Sequence, residues 1–160
     1  MVIREMTEAE CAAALDQRDF GRLACSRGNQ PYIVPIYFSY DGRHFYGVTT
    51  LGQKIEWMRS NPLVCLEVDE RASHYRWTSI IVFGRYEELS DAPEFAGVRT
   101  HALEVLQQRE MWWQTASAAA VNLEQRPPIL YRIHILHMTG RRATPDAIEA
   151  AADARATQAS

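Results

Sequence analysis

Cysteine is scarce and poorly placed for cross-linking. The 160-residue chain has three, Cys11, Cys25 and Cys65, scattered, odd in number and without a C-x-x-C pair. That excludes a disulfide framework and a structural zinc site of the usual spacing. A reducing cytoplasm is the expected setting. No apolar run is long enough to cross a bilayer. Met1-Val2-Ile3-Arg4-Glu5 lacks the apolar core of a secretion signal, so none is expected. Net charge is −3 with no basic stripe, which argues against a partner that is duplex nucleic acid. No ordering of Ser, His and Asp suggests a hydrolytic triad. There is no internal repeat and no linker. Residues 1–142 are therefore expected to form one domain, and 143–160 an alanine-rich polar tail, helical or disordered.

What is present reads as a globular β-rich domain, with 47% hydrophobic and 23% charged residues. Thr7-Glu8-Ala9-Glu10 matches a capping box and predicts a helix to about Gln17. Gly21–Ser26 predicts a first strand, Arg27-Gly28-Asn29-Gln30 a turn, and Pro31–Tyr40 a second strand. Pro35 cannot donate to a ladder, so it marks an edge, a bulge or a place where something other than a strand approaches. Asp41-Gly42 signals a hairpin, with His44–Thr50 returning as the third strand. Gly52–Ser60 should be helical and end at Asn61-Pro62. Leu63–Asp69 and Thr78–Leu89 predict two more strands. Ser90-Asp91-Ala92-Pro93-Glu94 opens a helix to about Arg109. Residues 110–128 read as irregular or weakly helical, and Ile129–Met138 as a sixth strand closed by Gly140-Arg141-Arg142. Six strands with short hairpins suggest an antiparallel barrel or a strongly coiled sheet.

The chemistry concentrates at Thr49-Thr50-Leu51-Gly52-Gln53-Lys54. A strand ends in two hydroxyls, turns at a glycine and enters a helix with a lysine in its first turn. Hydroxyls, free backbone N–H groups and one cation then converge, as a phosphate monoester requires. Strand alternation would point Thr49 and Thr50 to opposite faces, so one can meet a ligand through its side chain and the other through its N–H.

The order Gly21-Arg22-Leu23-Ala24, Pro31-Tyr32-Ile33-Val34-Pro35-Ile36-Tyr37, Phe45 through Lys54, Asn61-Pro62-Leu63-Val64-Cys65 and Trp77 through Arg85 resembles the pyridoxamine 5′-phosphate oxidase-like split β-barrel family of FMN-binding proteins. It is most similar to the nitroimidazole-resistance (NimA-like) branch. Met111-Trp112-Trp113, Tyr131-Arg132-Ile133 and Thr139-Gly140-Arg141-Arg142 extend the similarity, which covers about residues 20–142. The resemblance implies a mainly β fold, a six-stranded antiparallel split β-barrel with flanking helices. It also implies a homodimer holding FMN in a cleft between subunits. Lys54 matches the lysine that pairs with the flavin phosphate, and Thr49 and Thr50 the hydroxyl-bearing segment beside it. Pro35, Ile36 and Tyr37 match the strand along the isoalloxazine. Ser79 falls where the related oxidases carry a glutamine that reaches the cofactor. Those oxidases also have an arginine where this chain has Tyr32 or Ile33, and a C-terminal Trp/Arg segment with no counterpart here. Vitamin B6 oxidation is therefore not the expected activity.

Other residues weigh less. Adjacent Trp112 and Trp113 are unusual, and Trp113 is expected to line the pocket or the dimer seam. His134 and His137 are three apart on a predicted strand, so their rings should face opposite sides and share no metal. His74 and His101 read as surface residues. Cys25 and Cys65 read as buried and inert. Arg141 and Arg142 read as a charged strand end, with a phosphate or dimer role as the alternative. The expected function is an FMN-dependent oxidoreductase that reduces a small molecule, a nitroaromatic compound among the candidates, with electrons from a nicotinamide donor. The alternatives are a flavin-binding or storage module without turnover, or the same barrel taking deazaflavin F420 or haem.

Overall fold

The computed structural model describes residues 1–108, 127–147 and 149. Eight strands form one curled, wholly antiparallel sheet: β1 Val2–Met6, β2 Phe20–Arg27, β3 Gln30–Tyr37, β4 Ser39–Tyr40, β5 His44–Thr49, β6 Leu63–Arg71, β7 Trp77–Glu88 and β8 Ile129–Thr144. Three α-helices accompany them: α1 Glu8–Leu15, α2 Gln53–Ser60 and α3 Ala96–Gln107. The strand order is β3-β2-β6-β7-β8-β5-β4, with β1 also on β8. The two end strands do not pair with each other, so the barrel is split. The expected architecture holds, with two strands more than anticipated. Phe38 interrupts what reads as one strand into β3 and β4, and β1 forms against the C-terminal half of β8. That half runs to Thr144, past the arginines expected to end it.

Local signals explain most boundaries. Thr7 accepts a bond from the Glu10 N–H at 3.2 Å, and the Glu10 carboxylate accepts from the Thr7 N–H at 2.9 Å. Gly28 and Asn29 both adopt positive φ, 56° and 65°, as a two-residue hairpin of the right twist requires. Asp41 accepts from the N–H groups of Arg43 and His44, both at 2.8 Å, and closes the second hairpin. Pro35 lies on β3, which pairs with β2 alone, so its missing donor costs no ladder bond. The helix expected from Ser90 begins later, as a 3₁₀ turn at Pro93–Phe95 that continues into α3.

Alternation sorts the side chains. Leu23, Leu66, Val68, Ile80 and Val82 point into the barrel, where α2 caps one end with Ile55 and Met58, both fully buried. Each such side chain contributes about 1.5–3 kcal/mol by leaving water. A second cluster on the other face joins α3 (Ala102, Val105, Leu106) to Tyr46, Leu89 and Leu130. One irregularity re-aims β8. Phe83 pairs with His137 but Gly84 with Ile135, so Leu136 is an extra residue. The shift places His134 and His137 on the same face as Arg85 and Phe83, correcting the expectation of opposite sides. His137 stacks on Phe83 at 4.4 Å, while His134 meets Glu87 at 2.9 Å. Among the described residues, no group of three or more His, Cys, Asp or Glu side chains could hold a metal ion.

Candidate functional site

The site begins where β5 hands over to α2. Gly52, the N-cap, is fully extended (φ −173°) and supplies no capping side chain. The first N–H groups of α2 therefore lack the partner a Ser or Asp cap would give them. Thr49 ends β5 on the barrel-facing side, in line with Phe45 and Gly47, and Thr50 follows outside the strand. Both threonines are half-buried. Thr49 takes the inward place, while Thr50 lies past the end of the strand, where the expected alternation no longer applies.

Lys54 lies in the first turn of α2, half-buried beside β2. Burial pushes its pKa below the ordinary lysine value, and the nearby Cys25 thiol opposes this only in part. Among the described residues Lys54 makes no ion pair and no side-chain hydrogen bond. A desolvated cation without a counter-charge is costly, and an anion at this point would relieve the cost. The helix is held firmly around it. Trp57 meets the Tyr32 ring at 5.4 Å, and the Arg27 guanidinium lies over Trp57 at 5.4 Å. Asn61 donates to the Ser26 carbonyl and hydroxyl at 3.2 and 3.1 Å. Arg27 is a second cation beside α2 that the sequence placed in a turn. Only its long-range meeting with Trp57 reveals it.

The remaining expected site residues stand elsewhere. Ser79 faces the outer side of the sheet, with its hydroxyl 3.5 Å from the Glu67 carboxylate. Cys25, beside Lys54, lies level with Val64 of β6, and Ser79 lies level with Asp69. Five residues of strand are about 17 Å, and the two side chains point to opposite faces of the sheet. One chain therefore does not bring Lys54 and Ser79 together. Pro35 and Tyr37 are exposed on the outer face of β3, where Tyr37 meets the edge of Phe20 at 5.0 Å. Ile36 points the other way and is buried in the core, so only its backbone can meet a ligand. Cys65, expected to be buried, is half-buried on the outer face. Trp113, with Trp112, lies outside the described residues.

A polar knot occupies the far side, beside α3. Asp41 accepts from the Tyr46 hydroxyl at 3.0 Å and meets His101 Nε2 at 2.9 Å. Burial would raise the Asp41 pKa, but His101, the two backbone N–H groups and Tyr46 outweigh it and hold it at about 2. His44 abuts His134 at 4.8 Å between ring centres, and burial lowers the His44 pKa. His101 is exposed, as the sequence suggests, and also clasps α3 to the second hairpin.

An open, curled antiparallel barrel with a cationic niche at the start of its inserted helix defines the class: a split β-barrel protein. The chain belongs to the pyridoxamine 5′-phosphate oxidase family, whose model matches residues 7–142. It is 39% identical over 146 residues to an uncharacterized protein of Rhizobium meliloti, covering 89% of this chain and 97% of that one. A FAD-binding protein of Mesorhizobium loti, solved as a crystal structure, superposes with a TM-score of 0.75 at 40% identity, over 90% of this chain and all of that one. A proposed 5-nitroimidazole antibiotic resistance protein of Bacteroides thetaiotaomicron superposes with a TM-score of 0.63 over 89% of each chain. At 18% identity that likeness concerns the fold alone. Among the described residues no helix is long and apolar enough to cross a membrane.

Proposed function

We propose that this protein is a flavin-nucleotide-binding oxidoreductase, with FMN as the cofactor and Lys54 as the ligand of its terminal phosphate. The observation that carries this is the half-buried Lys54 ammonium, without a described counter-charge, at the uncapped start of α2. A phosphate there gains a charge-assisted bond and the free helix N–H groups together. Thr49 and Thr50 orient it, and Arg27 adds a second positive charge beside the helix. The bound isoalloxazine would supply the electron or hydride transfer. The chain's part is to bind, orient and exclude water. Electrons from a nicotinamide donor would pass to a small oxidised molecule, for which nitroaromatic compounds are the first test.

The cofactor would lie between two copies of the chain. Ser79, Pro35 and Tyr37 face outward, while Lys54 opens at the barrel end, so a ligand touched by both sets needs a second protomer. The outer face suits such a contact. Ile33, Ala24, Cys65, Phe83 and His137 are aligned across five strands as one row, flanked by exposed Leu63 and Leu136. A continuous apolar stripe of this kind on a sheet marks an interface.

The first test is to purify the protein untreated, record its spectrum, and release and weigh what it carries. A flavin spectrum with FMN released supports the reading. The Mesorhizobium loti relative's FAD supports a variant in which the nucleotide is FAD, and the released mass separates the two. A colourless protein whose melting temperature is unmoved by either flavin refutes both. Light scattering should give a dimer, and Phe83→Glu a monomer depleted in flavin.

A further inference from the structure

The outer face of the sheet carries a cleft of about 880 Å³ where β6, β7, β8 and β1 run side by side. Cross-strand register lays out its floor. Asp69, Ser79 and Arg141 form one row, and Arg71 stands opposite Trp77 in the next. Trp77 and Ile81 supply an apolar wall, and Ser79 and Thr139 supply hydroxyls.

The charges around this cleft are unevenly matched. Glu67 and Asp69 both reach sideways to Arg22 of β2, at 3.0 and 2.6 Å. Glu70 pairs with Arg18. Neither Arg18 nor Arg22 lines the cleft, so these three acids are paired from outside it, Glu67 and Asp69 sharing the single charge of Arg22. Arg71 and Arg141 line it, are exposed, and make no ion pair or hydrogen bond through their side chains among the described residues. Glu5, opposite Arg141 in the register, is the remaining acid, and His74 stands at the rim. The two guanidinium groups start two strands and two residues apart, about 12 Å between Cα atoms by strand geometry. Arginine side chains can span that gap and close on one carboxylate or phosphate, for which their forked N–H donors are shaped.

We propose that this cleft binds the anionic end of a planar small molecule, with Arg71 and Arg141 as its clamp and Trp77 as its stacking wall, and that this molecule is the reactant reduced at the flavin. The second half rests on the flavin reading; the first does not. Lys54 holds the cofactor's phosphate, so the arginines are free to select the reaction partner.

The test uses two probes of one shape, 4-nitrobenzoate and 4-nitrobenzamide, titrated by calorimetry into flavin-loaded and flavin-free protein. The carboxylate should bind at least tenfold tighter than the amide in both forms, with the advantage shrinking as salt is added. Arg71→Gln and Arg141→Gln should each cut that advantage at least threefold. The double variant should abolish it, with amide affinity and flavin content unchanged. Equal binding of the two probes, or an advantage that survives both substitutions, overturns the proposal. Loss of flavin rather than of carboxylate affinity in the arginine variants also overturns it, by making the cleft the cofactor's own phosphate site. Carboxylate binding that follows the arginines in a protein that takes no flavin keeps the cleft and removes the flavin reading, so the two failures are told apart.

Discussion

The knot around Asp41 and the niche around Lys54 hold similar groups to opposite effect. Asp41 is a largely buried charge that four donors satisfy: two backbone N–H groups, the Tyr46 hydroxyl and His101. Lys54 is a half-buried charge for which the described residues supply no partner, and its pKa falls where that of Asp41 is held at about 2. Both pKa values drop, yet the meaning differs. The fall at Asp41 reports stabilisation of the charged form, and the fall at Lys54 reports its desolvation. A polar cluster that closes on itself stabilises the fold. One left open stores an unmet interaction that a ligand can meet.

That contrast breaks most visibly at Asp41. Asp41→Ala removes the shared acceptor and leaves the buried Tyr46 hydroxyl and the part-buried His44 N–H without it, which should cost about 2 kcal/mol of unfolding free energy. Denaturant melts would read this, and flavin affinity should be untouched. Lys54→Ala should do the reverse. A charge-assisted bond is worth about 1.5–3 kcal/mol, so flavin affinity should fall roughly tenfold to a hundredfold. The melting temperature of the flavin-free protein should change little, because no ion pair or side-chain hydrogen bond among the described residues is lost. A Lys54→Ala protein that keeps full flavin affinity, or an Asp41→Ala protein as stable as its parent, would erase the distinction.

The sequence shows these two regions unequally, for a physical reason. The Lys54 niche is local: two threonines, a glycine and a lysine within six residues already imply a helix start facing an anion. The capping box at Thr7 and Glu10, the turns at Gly28-Asn29 and Asp41-Gly42, and the edge position of Pro35 are legible on the same ground. The knot is not local, since His101 reaches Asp41 across 60 residues. The extra residue at Leu136 is a property of pairing with β7, which no periodicity along β8 reveals. Strand β1 lacks clean alternation, with four exposed residues before buried Met6, and it forms because β8 offers an edge. Ser79 entered through family resemblance alone, and the sheet sets it on the face away from Lys54.

Acid separates the two regions next. Asp41 has a folded pKa of about 2 against an ordinary value of 3.8. Its contribution is therefore complete above pH 3.8 and is lost as pH falls through about 2. At 1.36 kcal/mol per pKa unit that is about 2 kcal/mol, and it should vanish from the acid limb of the stability profile in Asp41→Asn. His101→Ala removes one of the four donors and should cost about 1 kcal/mol, with a smaller acid dependence than the parent.

Alkali tests the niche with the smallest effect. The folded pKa of Lys54 lies below 10.5, its ordinary value, so over the interval between them the unfolded chain holds the extra proton. Unfolding then takes up protons, and stability rises with pH across that window. Burial raises the Cys11, Cys25 and Cys65 pKa values and works the other way in parent and variant alike, so the melting temperature of flavin-free protein should drift upward toward pH 10 relative to that of Lys54→Met. Bound phosphate gives the ammonium its counter-charge and returns its pKa upward, so the drift should flatten or reverse in the flavin-loaded protein. A drift that is the same in loaded protein, free protein and Lys54→Met would mean that the ammonium never left water, and the niche would hold no more than a solvated surface lysine.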